Sequence, residues 1–335
     1  MKALVFTGYG PLKDVVQWRD LPVPAPRQGE VLLRVRARSI NPIDWKIVEG
    51  GMKTAHRYPL PSPFGFDASG EVVERGPGAG FAVGDQVYVR ASRDTIGTFA
   101  EFVALPAVFV APKPRNLSHN EAASLPLVAL TTRQALVDRA HVQPGQRILI
   151  HAGSGGVGTF AIQYAKALGL HVTTTTSAKN TGWVKDLGAD EVIAYDQQDY
   201  REGGRRFDVV FNTLGGDYNQ DAVGVIVPGG VLVSIAGPPD LEMIRVVGAR
   251  PPASWVMWWL GASLRARARR AGVRYFRFLT ESSGDQLREI TTLVEARKVR
   301  PVIDRVFPFE QSLEALAYAD LGRSKGKVII SGPGD

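Results

Sequence analysis

The run Gly153-Ser154-Gly155-Gly156-Val157-Gly158 follows the apolar stretch RILIHA and opens the amphipathic stretch VGTFAIQYAKAL. A glycine-rich bend between a strand and a helix constrains the chain more than any other feature, because it belongs to a βαβ unit and hence to a parallel sheet. Each glycine has a distinct expected duty: Gly153 permits the tight turn, Gly155 admits a pyrophosphate close to the backbone, and Gly158 lets the helix lie against the strand. The amides of Ser154, Gly156 and Val157 and the positive end of the helix then face the phosphates. A merely flexible strand–helix turn is the competing reading; the alternating pattern around it argues against that.

The chain has 335 residues, enough for two domains at roughly 100–200 residues each. Residues 1–124 carry short β-like runs punctuated by Gly and Pro (KALVF, EVLLRVRARSI, SGEVVERG, DQVYVR, TFAEFVAL), which predicts a β-rich unit. A helical stretch begins at Asn120, and from Arg147 strand-like and helix-like segments alternate. Strands are expected at 147–152, 171–176, 191–195, 207–214, 231–236 and 274–279, with helices at 157–168, from 181, and within 218–225. That count suits a complete doubly wound dinucleotide-binding sheet over residues 125–280. Residues 281–335 hold helical stretches at 284–298 and 312–321 and a strand at 327–331; without a βαβ unit of its own, this tail is expected to rejoin the first domain. The fold class is α/β.

Cysteine is absent, which removes disulfides, thiolate nucleophiles and sulfur-ligated metal sites. The net charge of +7 owes four charges to the cluster Arg265, Arg267, Arg269 and Arg270. No apolar run reaches a membrane-spanning length, and the first residues lack the pattern of a cleaved signal, so a cytoplasmic protein is expected. The five histidines show no metal-ligand spacing, and no metal is expected.

A site selective for the unphosphorylated dinucleotide places an acid about 20 residues past the glycines. Here that strand ends Thr176-Ser177-Ala178-Lys179, and hydroxyls beside an ammonium suit a 2′-phosphate. NADPH is therefore the expected cofactor, with Thr176, Ser177 and Lys179 near its extra phosphate and Tyr195 beside them; a solvated Lys179 is the alternative. The carboxyl ends of the fourth and fifth strands, Asn212-Thr213-Leu214 and Ala236-Gly237, lie where open α/β sheets bind ligands.

The chain resembles the medium-chain dehydrogenase/reductase superfamily, in its zinc-independent quinone oxidoreductase and enone reductase branch. The likeness runs over nearly the whole length and includes Asn41-Pro42-Ile43-Asp44-Trp45-Lys46, Gly65-Phe66-Asp67-Ala68-Ser69-Gly70, Gly97-Thr98-Phe99-Ala100-Glu101-Phe102, Leu187-Gly188-Ala189-Asp190 and Gly326-Lys327-Val328. It implies a GroES-like catalytic domain beside a Rossmann domain. Asn41 stands where the zinc-dependent branch has Cys, and Phe66-Asp67 where it has His-Glu. The resemblance implies hydride transfer from NADPH to a quinone or to the C=C bond of an α,β-unsaturated carbonyl, with an enoyl-thioester reductase, or a nucleotide-sensing or RNA-binding protein on the same fold, as alternatives. Asn41 is then a candidate for orienting nicotinamide or substrate, or an Asx turn before Pro42. Asp44 and Lys46 either support it or pair on the surface, and Asp67 either lines the pocket or caps a turn. Thr131 matches a position near the nicotinamide; Arg323 and Lys325 either reach phosphates or are solvated.

The stretch Ser254-Trp255-Val256-Met257-Trp258-Trp259-Leu260 followed by arginines has the composition of an interfacial helix. The resemblance instead implies a substrate pocket or subunit contact for these tryptophans, and no membrane or nucleic-acid partner. The sixth strand of the sheet is an apolar edge, so a homodimer joined through it is expected.

Overall fold

A computed structural model describes residues 1–53 and 56–332. The chain forms two compact units, Met1–Leu130 together with the chain from Glu281 onward, and Thr131–Thr280 between them. The sequence junction expected at residue 125 falls instead inside the helix Pro126–Arg133.

In the inserted unit six parallel strands lie in the order Glu191–Ala194, His171–Thr176, Arg147–Ile150, Phe207–Asn212, Ile226–Ser234, Arg274–Arg277. This is the doubly wound order, which reverses direction between the Arg147–Ile150 and Phe207–Asn212 strands and opens a crevice at their carboxyl ends. The central strands are β-branched and buried on both faces, as in RILI, VTTTT and DVVF, because helices cover each side of a parallel sheet. Phe207, Val210, Leu232 and Leu264 form part of one core.

The unit built from both ends of the sequence centres on a mixed sheet. Its long strand Glu30–Ser39 pairs antiparallel with Asp67–Arg75, Phe102–Pro106 and Lys327–Ser331. A smaller sheet joins Lys2–Phe6 to Val16–Asp20 and Ser62–Pro63. The tail does contain a βαβ unit, contrary to expectation: Ile303–Phe307 runs parallel to Lys327–Ser331 with the helix Ser312–Asp320 between them. Asp304 and Arg305, at a register shift against Lys327–Ser331, break the apolar alternation that would mark this strand in the sequence; it is an edge strand.

Several expected boundaries shift for identifiable reasons. Strands expected to reach residues 152, 214 and 236 end at Ile150, Asn212 and Ser234, where side chains take over the next amides. Thr175 Oγ1, on the neighbouring strand, accepts from the Ala152 N–H, while Asn212 Oδ1 accepts from Leu214 and Ser234 Oγ from Ala236 two residues on, so side-chain acceptors replace the ladder there. The strand expected from residue 231 starts at Ile226, the Pro228-Gly229-Gly230 segment being absorbed as a register shift against its neighbour. The helical stretch from Asn120 is broken between Ala123 and Pro126, since proline lacks the amide that would continue the helix and sits at the first turn of the next. The helix expected to reach residue 298 ends at Glu295, followed by Arg297 at φ 56°, a left-handed cap.

Candidate functional site

In the inserted unit the glycine-rich bend is packed too tightly for side chains. A Cβ on Gly158 would run into the Ala152 carbonyl oxygen and lie 2.7 Å from Gly153 Cα; one on Gly153 would collide with Thr174 Oγ1 and lie 2.9 Å from its Cγ2. Ala152 itself adopts φ 55°, a left-handed conformation that costs an alanine about 1 kcal/mol and that the surrounding bend must impose. Gly155 caps the helix Gly156–Ala167 without a side-chain acceptor, so the amides of Gly156, Val157 and Gly158 project from a positive helix end. A Cβ on Gly155 meets nothing nearer than 3.4 Å: the space that glycine keeps open there faces outward. The geometry fits a diphosphate.

Beside it, Thr176 is buried and its Oγ1 has no hydrogen-bond partner. Tyr195, exposed, is held next to it by the hydrogen bond that its backbone N–H donates to the Thr176 carbonyl, 2.9 Å. Ser177 Oγ accepts from Asn180 at 3.1 Å, and Lys179 is exposed. Asp196, one residue beyond Tyr195, accepts the Ala178 N–H at 2.9 Å; it reaches this corner from the neighbouring strand, where a count along the glycine-containing βαβ unit does not find it.

At the next carboxyl ends the side chains serve the frame. Asn212 Oδ1 accepts the Leu214 amide at 3.0 Å, which fixes that atom as oxygen, so His151 Nδ1, also at 3.0 Å, carries the ring proton. Burial pushes His151 down to about 4, and its Nε2 is buried with no partner. Asn212 Nδ2 donates to Asn219, which donates onward to the Ala236 carbonyl at 3.1 Å. Thr213 Oγ1 donates to the His151 carbonyl at 3.0 Å. The side chains of Asn212 and Thr213 are thus committed internally, leaving the backbone around Leu214, Ala236 and Gly237 as the exposed edge of the crevice. Thr131 Oγ1 lies 2.7 Å from Thr280 Oγ1, fastening the two ends of the inserted unit to each other. The glycines, a bare hydroxyl and a positive helix end fit a phosphorylated dinucleotide.

The other unit holds a buried polar cluster. Asn41 precedes the helix Pro42–Val48, and Asp44 in its first turn accepts the Asn41 amide at 2.7 Å. Asn41 Nδ2 donates to Asp67 Oδ2 at 2.9 Å, Ser39 Oγ donates to the same oxygen at 2.9 Å, and the Leu127 amide donates to Asp67 Oδ1 at 2.9 Å. Lys327 Nζ donates to Asn41 Oδ1 and to the Ile40 carbonyl and lies 3.8 Å from Asp67 Oδ2. Arg90 stands opposite Asp67 across the paired strands, and its guanidinium lies 4.9 Å over Phe66. Asn41, Asp44, Asp67 and Lys327 are all buried. Asn41 is therefore the hub of a network and not a simple turn residue.

Burial dominates the electrostatics. It raises the Asp67 carboxyl, which Lys327 and the hydrogen bonds from Asn41 and Ser39 pull back, and lowers Lys327, which the charge of Asp67 chiefly supports. Burial pushes Asp44 up to about 8, and the charge of Asp67 adds to it. The folded chain thus keeps a proton on Asp44 from its ordinary value of 3.8 up to about 8, while the unfolded chain has released it, so this group lowers stability progressively as pH rises through that window. In Asp44→Asn this contribution is gone. Denaturant midpoints of wild type minus variant are expected to fall between pH 4 and 8, about the window given for Asp44; parallel midpoint curves would show that Asp44 is not held protonated.

Lys46 does not join the cluster. It is exposed, because two helical residues beyond Asp44 the side chain points to the opposite side; it neither supports Asn41 nor pairs with Asp44. Arg323 and Lys325 are likewise exposed. The residue missed from sequence is Lys327, whose motif Gly326-Lys327-Val328 was visible but whose burial was not.

The cluster does not suit zinc. The sequence has no cysteine, the positions that resemble ligands are an amide and a phenyl ring, and an ammonium already lies against Asn41 Oδ1 and Asp67. Among the described residues no group of three or more His, Asp or Glu is arranged to hold a metal.

Two family profiles match the chain: the alcohol dehydrogenase GroES-like domain over residues 27–115 and the zinc-binding dehydrogenase over residues 187–330. The chain is 32% identical to the 2-methylene-furan-3-one reductase of Solanum lycopersicum, over 98% of its own length and 79% of that protein's. Among solved structures it is similar to the quinone oxidoreductase of Coxiella burnetii, with 32% identity, a TM-score of 0.85 and 99% of both chains covered. A mycobacterial structure complexed with NADPH is 26% identical, with a TM-score of 0.81 over 99% of both chains.

Proposed function

Because the chain belongs to the medium-chain dehydrogenase/reductase superfamily, in its quinone oxidoreductase and enone reductase branch, we propose that it binds NADPH on the unit Thr131–Thr280 and reduces a quinone or the C=C bond of an α,β-unsaturated ketone or aldehyde without a metal. The observation that carries this reading is the glycine cradle at Gly153–Gly158, where Gly153 and Gly158 are closed inward by Thr174 and Ala152 and Gly155 is open outward. When bound, the reduced nicotinamide supplies the hydride. The chain's own residues bind and orient: the amides of Gly156, Val157 and Gly158 hold the pyrophosphate, and Ser154 lies in the same bend. Thr176, Ser177, Lys179 and Tyr195 receive the 2′-phosphate. Leu214, Ala236 and Gly237 flank the nicotinamide half, with Asn212 and Thr213 bracing them from within.

Asn41 and Asp67, mutually hydrogen-bonded beside Lys327, are positioning residues. They lock the start of the helix Pro42–Val48 to the end of the strand Glu30–Ser39, and acceptors needing little polarisation suit a site without a Lewis acid. The name of the tomato relative describes a carbonyl conjugated to a C=C bond, which supports the enone; that of the Coxiella structure supports the quinone. A cytoplasmic setting and a homodimer paired through Arg274–Arg277 complete the reading. That strand ends its sheet with no further strand beside it among the described residues, and a monomer in sedimentation at micromolar protein would remove the dimer.

The test follows loss of NADPH absorbance with a quinone, a short enone and an enoyl thioester in turn. Turnover with quinone or enone is expected to exceed that with the thioester; turnover with the thioester alone would make the protein an enoyl-thioester reductase. Lys179→Ala is expected to reduce the preference for NADPH over NADH by about 10-fold, the worth of one charge-assisted hydrogen bond. An unchanged ratio would leave Lys179 a solvated surface residue.

A further inference from the structure

The helix Ala253–Leu260 carries Trp255, Val256, Met257, Trp258, Trp259 and Leu260, and not one of its residues is buried. Trp255 is 66% exposed and Trp259 75%, and Leu241 and Val246 on the preceding helix are also exposed. A helix apolar on nearly every side belongs inside a core or a membrane, and eight residues are too few for a span of about 20. The surface therefore needs a partner.

Charge identifies it. From residue 243 to residue 270 there is no Asp, Glu or Lys, and there are six arginines. Arg265 braces the tryptophan helix, with its guanidinium 5.0 Å over Trp258 and a bond to the Pro239 carbonyl at 3.1 Å. Arg245, Arg250, Arg267, Arg269 and Arg270 are exposed. A second copy packed face to face on this surface would oppose arginines to arginines, its one acid, Glu242, being already paired with Arg139 at 2.8 Å. A single-stranded nucleic acid would stack on the tryptophans and match the charge, but it leaves Leu241, Val246, Val256 and Leu260 without apolar cover.

We propose that residues 241–270 dock the protein on an anionic lipid surface, Trp255, Val256, Trp259 and Leu260 entering the headgroup region while the flanking arginines meet lipid phosphates. Indole rings and aliphatic side chains beside arginines are the composition of an in-plane interfacial segment, and the cytoplasmic leaflet supplies the negative charge. This replaces the sequence expectation of a pocket or subunit contact for these tryptophans and of no membrane partner.

The full chain is mixed with vesicles of phosphatidylcholine alone or containing phosphatidylserine, floated, and its tryptophan emission recorded. Binding to the anionic vesicles is expected, with a blue shift and with release at high salt. The triple variant Arg267→Gln, Arg269→Gln, Arg270→Gln is expected to bind on the order of a hundredfold more weakly, about fivefold for each arginine near the surface, with NADPH turnover unchanged. Trp255→Ser with Trp259→Ser is expected to lose the blue shift and most of the binding. The proposal is overturned by equal partition to both vesicle types, by no binding to either, by binding to single-stranded RNA that anionic vesicles do not compete, or by a dimer that the two tryptophan substitutions dissociate.

Discussion

Gly158→Ala is expected to raise the NADPH dissociation constant by at least about 100-fold, the scale on which displacing a positioning element is felt. The new methyl would press on the Ala152 carbonyl and on Gly153 Cα, both backbone, so the helix must withdraw from the strand and carry its amides away from the phosphates. Gly155→Ala separates binding from folding. Its Cβ has only the Ala152 oxygen at 3.4 Å, so the protein is expected to keep its melting temperature while the methyl intrudes where a phosphate approaches. Gly182→Ala, with open space around its Cβ, is the control and leaves binding unchanged. Titration calorimetry with NADPH reads all three. Wild-type affinity in both Gly155→Ala and Gly158→Ala would mean that the bend does not hold the diphosphate.

Lys327→Met is expected to destabilise the unit that contains it by about 3–5 kcal/mol, the usual result of removing one partner from a buried charged network. The ammonium is the cation hydrogen-bonded to Asn41 and nearest Asp67; without it the burial cost of Asp67 is opposed chiefly by hydrogen bonds from Ser39, Asn41 and Leu127 and by the more distant charge of Arg90. Adding Asp67→Asn removes the stranded charge, so the double variant should be more stable than the sum of the two single changes implies. Thermal melts of the four proteins close the cycle. An unshifted melt for Lys327→Met, or strict additivity, would mean that the ammonium and the carboxylate do not act together.

Local patterns in the sequence carried the architecture. Apolar runs such as RILI and DVVF, interleaved with helices and anchored by the glycine bend, define a parallel doubly wound sheet. Strand ends were harder, since Thr175, Asn212 and Ser234 capture amides by geometry that apolar periodicity does not encode. The buried cluster was half legible. Asn41, Asp44 and Asp67 sit in recognisable motifs, but Lys46 looked equally suited until the helix fixed its direction, two residues round from Asp44 and out in water. Lys327 is separated from Asn41 by 286 positions, and proximity over that separation is a property of the sheet alone.

That separation bears on how the protein is made. The strand Lys327–Ser331 pairs with Glu30–Ser39, yet the whole unit Thr131–Thr280 must leave the ribosome before Lys327 is synthesised. Until then Asp67 has no ammonium beside it, and the first unit waits with an unfinished sheet. The unit Thr131–Thr280, contiguous in sequence, is free to fold first during translation, so its partner is completed only afterwards, by a late arrival of positive charge.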